Sequence, residues 1–144
     1  MLILVRHAHA EWPRYQGPDF DRPLTERGLA DARATGRAIA DAGHRPALLL
    51  ASSALRTRQT AEIIAEELQL PESAVQYLDS LYNANAFTLE VEARRLAPPD
   101  GVALMVAHNP GVSTLAQRLA RDDEAPAYKP AEWRIFTLPE GRQA

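Results

Sequence analysis

The sequence of 144 residues predicts an α/β fold with a mainly parallel sheet, and two features support this prediction. Three short runs are apolar without interruption, as expected for strands buried on both faces of a parallel sheet: LILV, ALLLA and VALMVA. Stretches with helical periodicity separate these runs, and such alternation is typical of right-handed β–α–β crossovers. The chain length favours a single domain over residues 1–144.

The apolar runs and their spacing predict five strands. We expect them near residues 1–6, 47–52, 75–78, 102–107 and 133–138. Two intervening segments, 8–24 and 122–132, contain proline and aspartate and are predicted to be surface loops.

The first two predicted helices follow the first two strands. One covers about 25–42, with Thr25 suited to the N-cap and Gly43 placed just beyond the end. The other starts after Ser53 and stops before Pro71, because proline cannot continue a helix.

Two further helices are predicted in the second half of the chain. The third covers about 87–96 and ends before Pro98. The fourth follows the strand at 102–107, with Asn109 as the expected N-cap and Pro110 as the expected first helical residue.

Composition excludes several classes of protein. The net charge of −3 gives no support to a nucleic acid or an anionic membrane as the main partner. Cysteine is absent, which excludes disulfides, thiolate nucleophiles and cysteine-ligated metals. The first apolar run is too short for a signal peptide and ends at Arg6, and nothing approaches the length of a membrane span. We therefore expect a cytoplasmic protein.

Cationic and imidazole side chains follow three of the predicted strands. The first strand leads into Arg6 and His7, the second into a helix that starts with Arg56 and Arg58, and the fourth into His108. Ligands of open α/β sheets bind beyond the carboxyl ends of the strands. We therefore expect these side chains to converge on one site.

The arginines at the start of the second helix point to an anion. A helix N-terminus carries a partial positive charge and prefers acidic residues, so Arg56 and Arg58 oppose that preference. A bound anion would accept hydrogen bonds from both the free backbone N–H groups of the helix start and the guanidinium groups. Phosphate is the anion that can bind several guanidinium groups at once. The alternative is a solvated helix face on which Arg58 pairs with Glu62.

A metal site is a second alternative. His7 and His9 form a His-x-His pair, which can ligate zinc or a similar ion. Glu11, Asp19 and Asp21 follow closely and could supply further ligands.

Four segments carry a resemblance to a known family. In order they read LVRHAHAEW, DFDRPLTERG, SSALRTRQTAEIIAEEL and VALMVAHNPGVSTLAQRL, and they extend from the first strand to about residue 120. This pattern resembles the histidine phosphatase (phosphoglycerate mutase-like) superfamily, and the chain length looks most like its SixA-like phosphohistidine phosphatase branch. The resemblance implies a three-layer fold, with helices on both faces of the sheet.

The resemblance also implies roles for the converging residues. His7 matches the nucleophile that is transiently phosphorylated, and Arg6, Arg56 and His108 match the phosphate pocket. These cations would neutralise the phosphoryl oxygens, which a metal ion does in other phosphoryl-transfer sites. We therefore expect no metal and no other cofactor. The family's usual glycines are alanines here, at Ala8 and before His108.

One departure from the superfamily concerns the substrate. Many of its phosphomonoesterases have a glutamate acid after the third strand, whereas the comparable stretch here is LDSLYNANAF. An alkoxide leaving group needs that proton and a leaving imidazole needs it less, so we expect hydrolysis of phosphohistidine. The expected substrate is a signalling phosphoprotein, with inorganic phosphate as the product.

Two rival functions remain from the sequence. The first is a small-molecule phosphomonoesterase of the same superfamily that uses Glu11 or Asp19 as its acid. The second is a non-catalytic phosphate-binding module, although binding alone needs no nucleophile such as His7. The phosphatase mechanism requires a neutral His7, and we expect His108 to be protonated beside it.

Overall fold

The computed structural model describes residues 1–12 and 16–139, and its centre is one five-stranded sheet. The strands are β1 (Leu2–Arg6), β2 (Leu48–Ser52), β3 (Val75–Leu78), β4 (Ala103–Ala107) and β5 (Trp133–Phe136). Their order is β3-β2-β4-β1-β5; the first four are parallel, and β5 is antiparallel to β1. The predicted strands and the mainly parallel sheet are confirmed.

Four helices connect the strands: α1 (Glu26–Asp41), α2 (Leu55–Glu67), α3 (Ala86–Leu96) and α4 (Gly111–Ala120). Thr25 caps α1 as predicted, because its side chain accepts a hydrogen bond from the backbone N–H of Gly28. The predicted start of α4 is wrong by one residue, since Pro110 lies at the cap position. The Asn109 side chain instead accepts hydrogen bonds from the N–H and the hydroxyl of Ser113.

Alternate residues of β1 face two separate hydrophobic cores. Leu2 and Leu4 pack in the core that includes residues of α3 and α4. Ile3 and Val5 pack in the core that includes residues of α1 and α2. Side chains of a strand alternate between the faces of the sheet, so helices cover both faces and the fold has three layers, as the resemblance implies.

The two predicted surface loops are partly buried. In the segment 8–24, Ala8, Ala10 and Leu24 form a small core, while residues 13–15 of that segment lie outside the described residues. In the segment 122–132, Tyr128 is only 2% exposed. Its ring packs with the core under α4, and Arg134 lies over it at 4.3 Å from the ring centroid. The expectation of two exposed loops is therefore wrong at these positions.

In the part of the chain that the structure describes, none of the helices has both the length and the apolar character needed to cross a bilayer.

Helix α1 lies directly against the chain that leaves β1. A Cβ on Gly28 would lie 2.0 Å from the carbonyl oxygen of His9, a backbone atom that cannot move independently. We expect Gly28→Ala to lower the free energy of unfolding by about 1–3 kcal/mol, the usual cost of overpacking. Urea denaturation measures this change. Arg27→Ala, which removes only an exposed ion pair with Asp31, is the control and should change stability by less than about 0.5 kcal/mol.

Candidate active site

A cavity of about 350 Å³ opens at the carboxyl ends of β1, β2 and β4. Four of the five side chains expected to converge line it, namely Arg6, His7, Arg56 and His108, whereas Arg58 does not. The convergence arises because parallel strands end at the same edge of the sheet.

His7 directly follows β1, and hydrogen bonds to β4 and α2 hold the backbone at this point. Its backbone N–H donates to the carbonyl of Ala107 in β4, and Thr60 of α2 accepts a hydrogen bond from the N–H of Ala8. The Nδ1 atom of His7 lies 2.8 Å from the carbonyl oxygen of Ala8. A carbonyl only accepts, so Nδ1 carries the proton and Nε2 keeps a free lone pair.

The His7 ring is neutral at physiological pH. Burial lowers its pKa to about 4, and the charges of Arg56 and Arg6 act in the same direction. A neutral ring with a free Nε2 lone pair is the form of histidine that acts as a nucleophile.

His108 follows β4 and lies beside His7, with 5.4 Å between the two ring centroids. Its Nε2 is 2.8 Å from the hydroxyl oxygen of Ser52, the last residue of β2. Burial, together with the nearby charge of Arg56, lowers the pKa of His108 to about 3. Burial thus favours two neutral rings, whereas the sequence led us to expect a protonated His108 in contact with a phosphoryl group.

Arg56 lies in the first turn of α2 and is only 2% exposed. Its Nη1 donates to the carbonyl of Asp19 at 2.9 Å, and its Nη2 lies 3.1 Å from the Asp19 carboxylate. The chain itself therefore supplies an anionic partner to Arg56, and the bound phosphate expected at this helix start stays a prediction. Arg6 faces the cavity from β1 and donates to the carbonyl of Tyr128 at 2.9 Å.

Asp19 lies in a short 3-10 helix, Asp19–Asp21, and lines the cavity. The Tyr82 hydroxyl donates to its carboxylate at 2.5 Å, and Arg22 pairs with it at 3.1 Å. The hydrogen bond from Tyr82, with the charges of Arg56 and Arg22, lowers the pKa of Asp19 to about 2. The carboxylate has no proton to donate at neutral pH.

The structure separates the two candidate acids. Asp19 is in the cavity, whereas Glu11 is not among the lining residues. The backbone N–H of Glu11 donates to the carbonyl of Pro23, and the carbonyl of Glu11 accepts a hydrogen bond from Arg22 at 3.3 Å.

Sequence reasoning missed three residues of the site. Arg22 and Asn83 line the cavity, and Ser52 contacts His108. The spacing of Asp19 and Arg22 in DFDR was an available signal, because residues three apart in a helical turn can pair. Arg58, considered with Arg56, is exposed and packs over the Tyr77 ring at 4.7 Å.

Two of the side chains considered for a metal, those of His9 and Asp19, have other partners. His9 lines the cavity, but its Nδ1 is 2.8 Å from the hydroxyl of Thr25. Asp19 is paired with arginines. Across residues 1–12 and 16–139, no group of three or more histidine, aspartate or glutamate side chains is arranged to hold a metal ion.

The family pattern of the histidine phosphatase superfamily (branch 1) matches residues 2–90, more than half of the chain. The chain belongs to this superfamily. The match begins with β1 and ends in α3, and it includes Arg6, His7, Asp19 and Arg56.

Individual relatives agree with this assignment. An uncharacterized chloroplastic protein of Arabidopsis thaliana is 32% identical over 127 residues, which are 83% of this chain and 58% of that protein. A 2,3-bisphosphoglycerate-dependent phosphoglycerate mutase of Methylobacterium radiotolerans is 36% identical over 78 residues, half of this chain and 35% of the mutase. The chain thus spans less than two thirds of these curated relatives.

The fold is similar to that of a solved SixA protein. The crystal structure of SixA from Agrobacterium tumefaciens superposes with a TM-score of 0.72 at 31% identity, and the match covers 83% of this chain and 75% of that one. The predicted resemblance to the superfamily, with SixA-like structural neighbours, is confirmed.

The Asp19 network predicts a specific dependence of stability on pH. The folded pKa of about 2 is below the usual unfolded value of about 3.9, so the ionised carboxylate stabilises the fold above pH ~4. This contribution is lost as the pH falls from about 4 towards 2. We expect wild type to exceed Asp19→Asn in free energy of unfolding at pH 6, and this difference to shrink at pH 3.

Urea denaturation across this pH range measures the difference. Asp21→Asn is the matched control for the loss of a carboxylate in the same 3-10 helix. A gap between wild type and Asp19→Asn that is constant from pH 6 to pH 3 would contradict the lowered pKa.

Proposed function

We propose that this protein is a phosphohistidine phosphatase that works through a covalent phosphohistidine on His7. The observation that carries the proposal is the free Nε2 of a neutral His7, fixed by the hydrogen bond between Nδ1 and the carbonyl of Ala8. Arg6 and Arg56 line the same cavity and would bind the phosphoryl oxygens.

In the first step, Nε2 of His7 attacks the phosphorus in line. A bond forms between phosphorus and Nε2, and the bond between phosphorus and the substrate imidazole breaks. The electron pair of the broken bond stays on the substrate nitrogen. When the other nitrogen of that imidazole carries a proton, the leaving group is a neutral ring.

In the second step, water attacks the phosphorus of the phosphoenzyme. The bond between phosphorus and Nε2 breaks, its electron pair returns to His7, and one water proton is released to solvent. The products are inorganic phosphate and the original neutral His7. The cations compensate the charge on the equatorial oxygens in both steps.

The carboxylates near the cavity favour a phosphohistidine substrate over a phosphate ester. Asp19 is ionised, and Glu11 does not line the cavity. A neutral imidazole leaves without a proton from the enzyme, whereas an alkoxide depends on one. The SixA likeness supports the same substrate, since the Agrobacterium protein is a proposed phosphohistidine phosphatase.

We further propose that the phosphohistidine belongs to a signalling phosphoprotein. The cavity volume of about 350 Å³ is suited to a phosphorylated side chain. Beside it, the rings of Phe20 and Tyr82 meet edge to face at 5.1 Å, and Phe20 is 38% exposed. These rings offer an apolar contact for an imidazole at the entrance. The cytoplasmic location stays a prediction from the sequence.

The alternative is a phosphatase for small phosphorylated metabolites. The likeness to phosphoglycerate mutases over half of the chain favours it, because those relatives act on small phosphorylated acids by name. This alternative requires a proton donor for an alkoxide, with Glu11 or Asp19 as the candidates.

The phosphoenzyme gives the first test. Rapid quenching with a radiolabelled phosphohistidine peptide should trap an acid-labile, base-stable phosphate on the protein, because a phosphorus–nitrogen bond has that stability pattern. His7→Ala should abolish the label. His9→Ala is the matched control, since His9 lines the cavity but pairs with Thr25, and it should retain the label. A label that persists in folded His7→Ala would place the nucleophile elsewhere.

The leaving-group dependence separates the two functions. Without an acid, the phosphorylation rate should fall steeply as the leaving group becomes more basic, so phosphohistidine and aryl phosphates should react far faster than phosphoserine. Glu11→Gln should change the rate on phosphohistidine by less than about tenfold, equivalent to about 1.4 kcal/mol of barrier.

The slope is measured from pre-steady-state phosphorylation rates with phosphohistidine, aryl phosphates and phosphoserine as substrates. Asp19→Asn should preserve the steep slope, whatever its effect on the absolute rate. A shallow slope in wild type, with a loss of about 100-fold or more on esters in either variant, would favour the metabolite phosphatase.

A further inference from the structure

The hydroxyl of Ser52 contacts the second histidine of the site, at the point where β2 ends. Ser52 is fully buried, with 0% exposure, and its oxygen lies 2.8 Å from Nε2 of His108. Both groups are buried away from water, so the direction of this hydrogen bond has consequences for the ring.

The other contact of Ser52 determines this direction. Its oxygen accepts a hydrogen bond from the backbone N–H of Ala54 at 3.3 Å. Across residues 1–12 and 16–139, His108 Nε2 is the one acceptor that the hydroxyl proton reaches. If Nε2 donated instead, the hydroxyl proton and the Nδ1 lone pair would both be buried without partners, whereas donation by Ser52 leaves only the Nδ1–H unpaired among the residues described. The favoured arrangement therefore has Ser52 donating to Nε2.

A donation to Nε2 fixes the tautomer of His108. The neutral ring has one proton, and with Nε2 accepting, that proton lies on Nδ1. Nδ1 is buried and has no hydrogen-bond partner among the residues that the structure describes. His108 lines the cavity, and its Nδ1–H donor is not used by the residues described.

We propose that Ser52 is a positioning residue that holds neutral His108 in the Nδ1–H tautomer, so that Nδ1 donates a hydrogen bond to a phosphoryl oxygen. This inference deepens the proposed function and rests on it only in taking a phosphoryl group as the ligand. Ser52 itself does not touch the substrate; it acts through the ring of His108.

The electrostatics of the cavity favour this tautomer over protonation. Burial and the charge of Arg56 lower the pKa of His108 to about 3, which favours the neutral ring with its single proton. In the opposite tautomer, the lone pair of Nδ1 would face a phosphoryl oxygen and repel it. The Nδ1–H form supplies a donor without adding a further positive charge beside Arg6 and Arg56.

Nitrogen NMR of imidazole-labelled protein tests the tautomer directly. The chain has four histidines, and single histidine variants assign their signals. At pH 7, with and without vanadate, we expect His108 to be protonated on Nδ1 and unprotonated on Nε2. A spectrum with the proton on Nε2, or with both nitrogens protonated, would overturn the proposal.

Variants test the part played by Ser52. In Ser52→Ala the Nδ1–H preference should be lost, and vanadate should bind about tenfold more weakly, equivalent to about 1.4 kcal/mol or one net hydrogen bond. Ser52→Thr keeps the hydroxyl and should restore the tautomer. Ser53→Ala is the matched control, because that hydroxyl bonds to Asp79 and not to a histidine; it should leave the tautomer unchanged.

An unchanged His108 tautomer in Ser52→Ala would refute the positioning role. Should that variant not fold, the wild-type spectrum still tests the proposal, because a proton on Nε2 would exclude donation by Ser52. The NMR measurement needs no turnover, so failure to hydrolyse phosphohistidine would count against the proposed function alone.

Discussion

The ion pair between Arg56 and Asp19 is the interaction on which the rest of the cavity depends. Arg56 is nearly fully buried, and a buried guanidinium without a partner costs several kcal/mol. Asp19 supplies that partner through its carbonyl and its carboxylate, and it also pairs with Arg22. The same carboxylate accepts the hydroxyl of Tyr82. One loop residue therefore joins α2, the loop after β1 and the segment before α3.

The positive charge of Arg56 also affects the protonation of the two histidines in the cavity. Burial and the charge of Arg56 both lower the pKa of each ring, so both imidazoles are neutral at pH 7. The rings then differ only in their hydrogen-bond partners. His7 is oriented by the carbonyl of Ala8, and His108 by the hydroxyl of Ser52. Opposite protonation of the rings, which the sequence led us to expect, is not needed to distinguish the nucleophile from the donor.

The sequence predicts the sheet and the cationic edge well because both follow from local patterns. Unbroken apolar runs indicate strands with two buried faces, and the residues after them must share one edge. The bounds of α1 are equally local. Thr25 caps its start with a side-chain hydrogen bond, and Gly43 follows its end in a left-handed conformation with φ of 86°.

The parts that the sequence does not predict depend on contacts between distant segments. Asp19 and Arg56 are 37 positions apart, and nothing in a loop of mixed polarity indicates that its carboxylate faces a helix start. Tyr128 is buried because a segment with loop-like composition folds back onto α4 and β1. Ser52 was visible at a strand end, but its contact with His108 follows from the neighbouring positions of β2 and β4 in the sheet.

The presence of Asp19 in a phosphate cavity also bears on catalysis. A phosphoryl group that binds Arg56 approaches a carboxylate that already holds the same guanidinium, so the two anions repel each other. This repulsion is greatest for the bound dianion. In a loose, metaphosphate-like transition state the transferred group carries less negative charge, and the repulsion weakens. An interaction that destabilises the ground state more than the transition state lowers the barrier, and it also favours release of inorganic phosphate. Under the proposed function, Asp19 would thus contribute to phosphoryl transfer by its charge, without donating a proton.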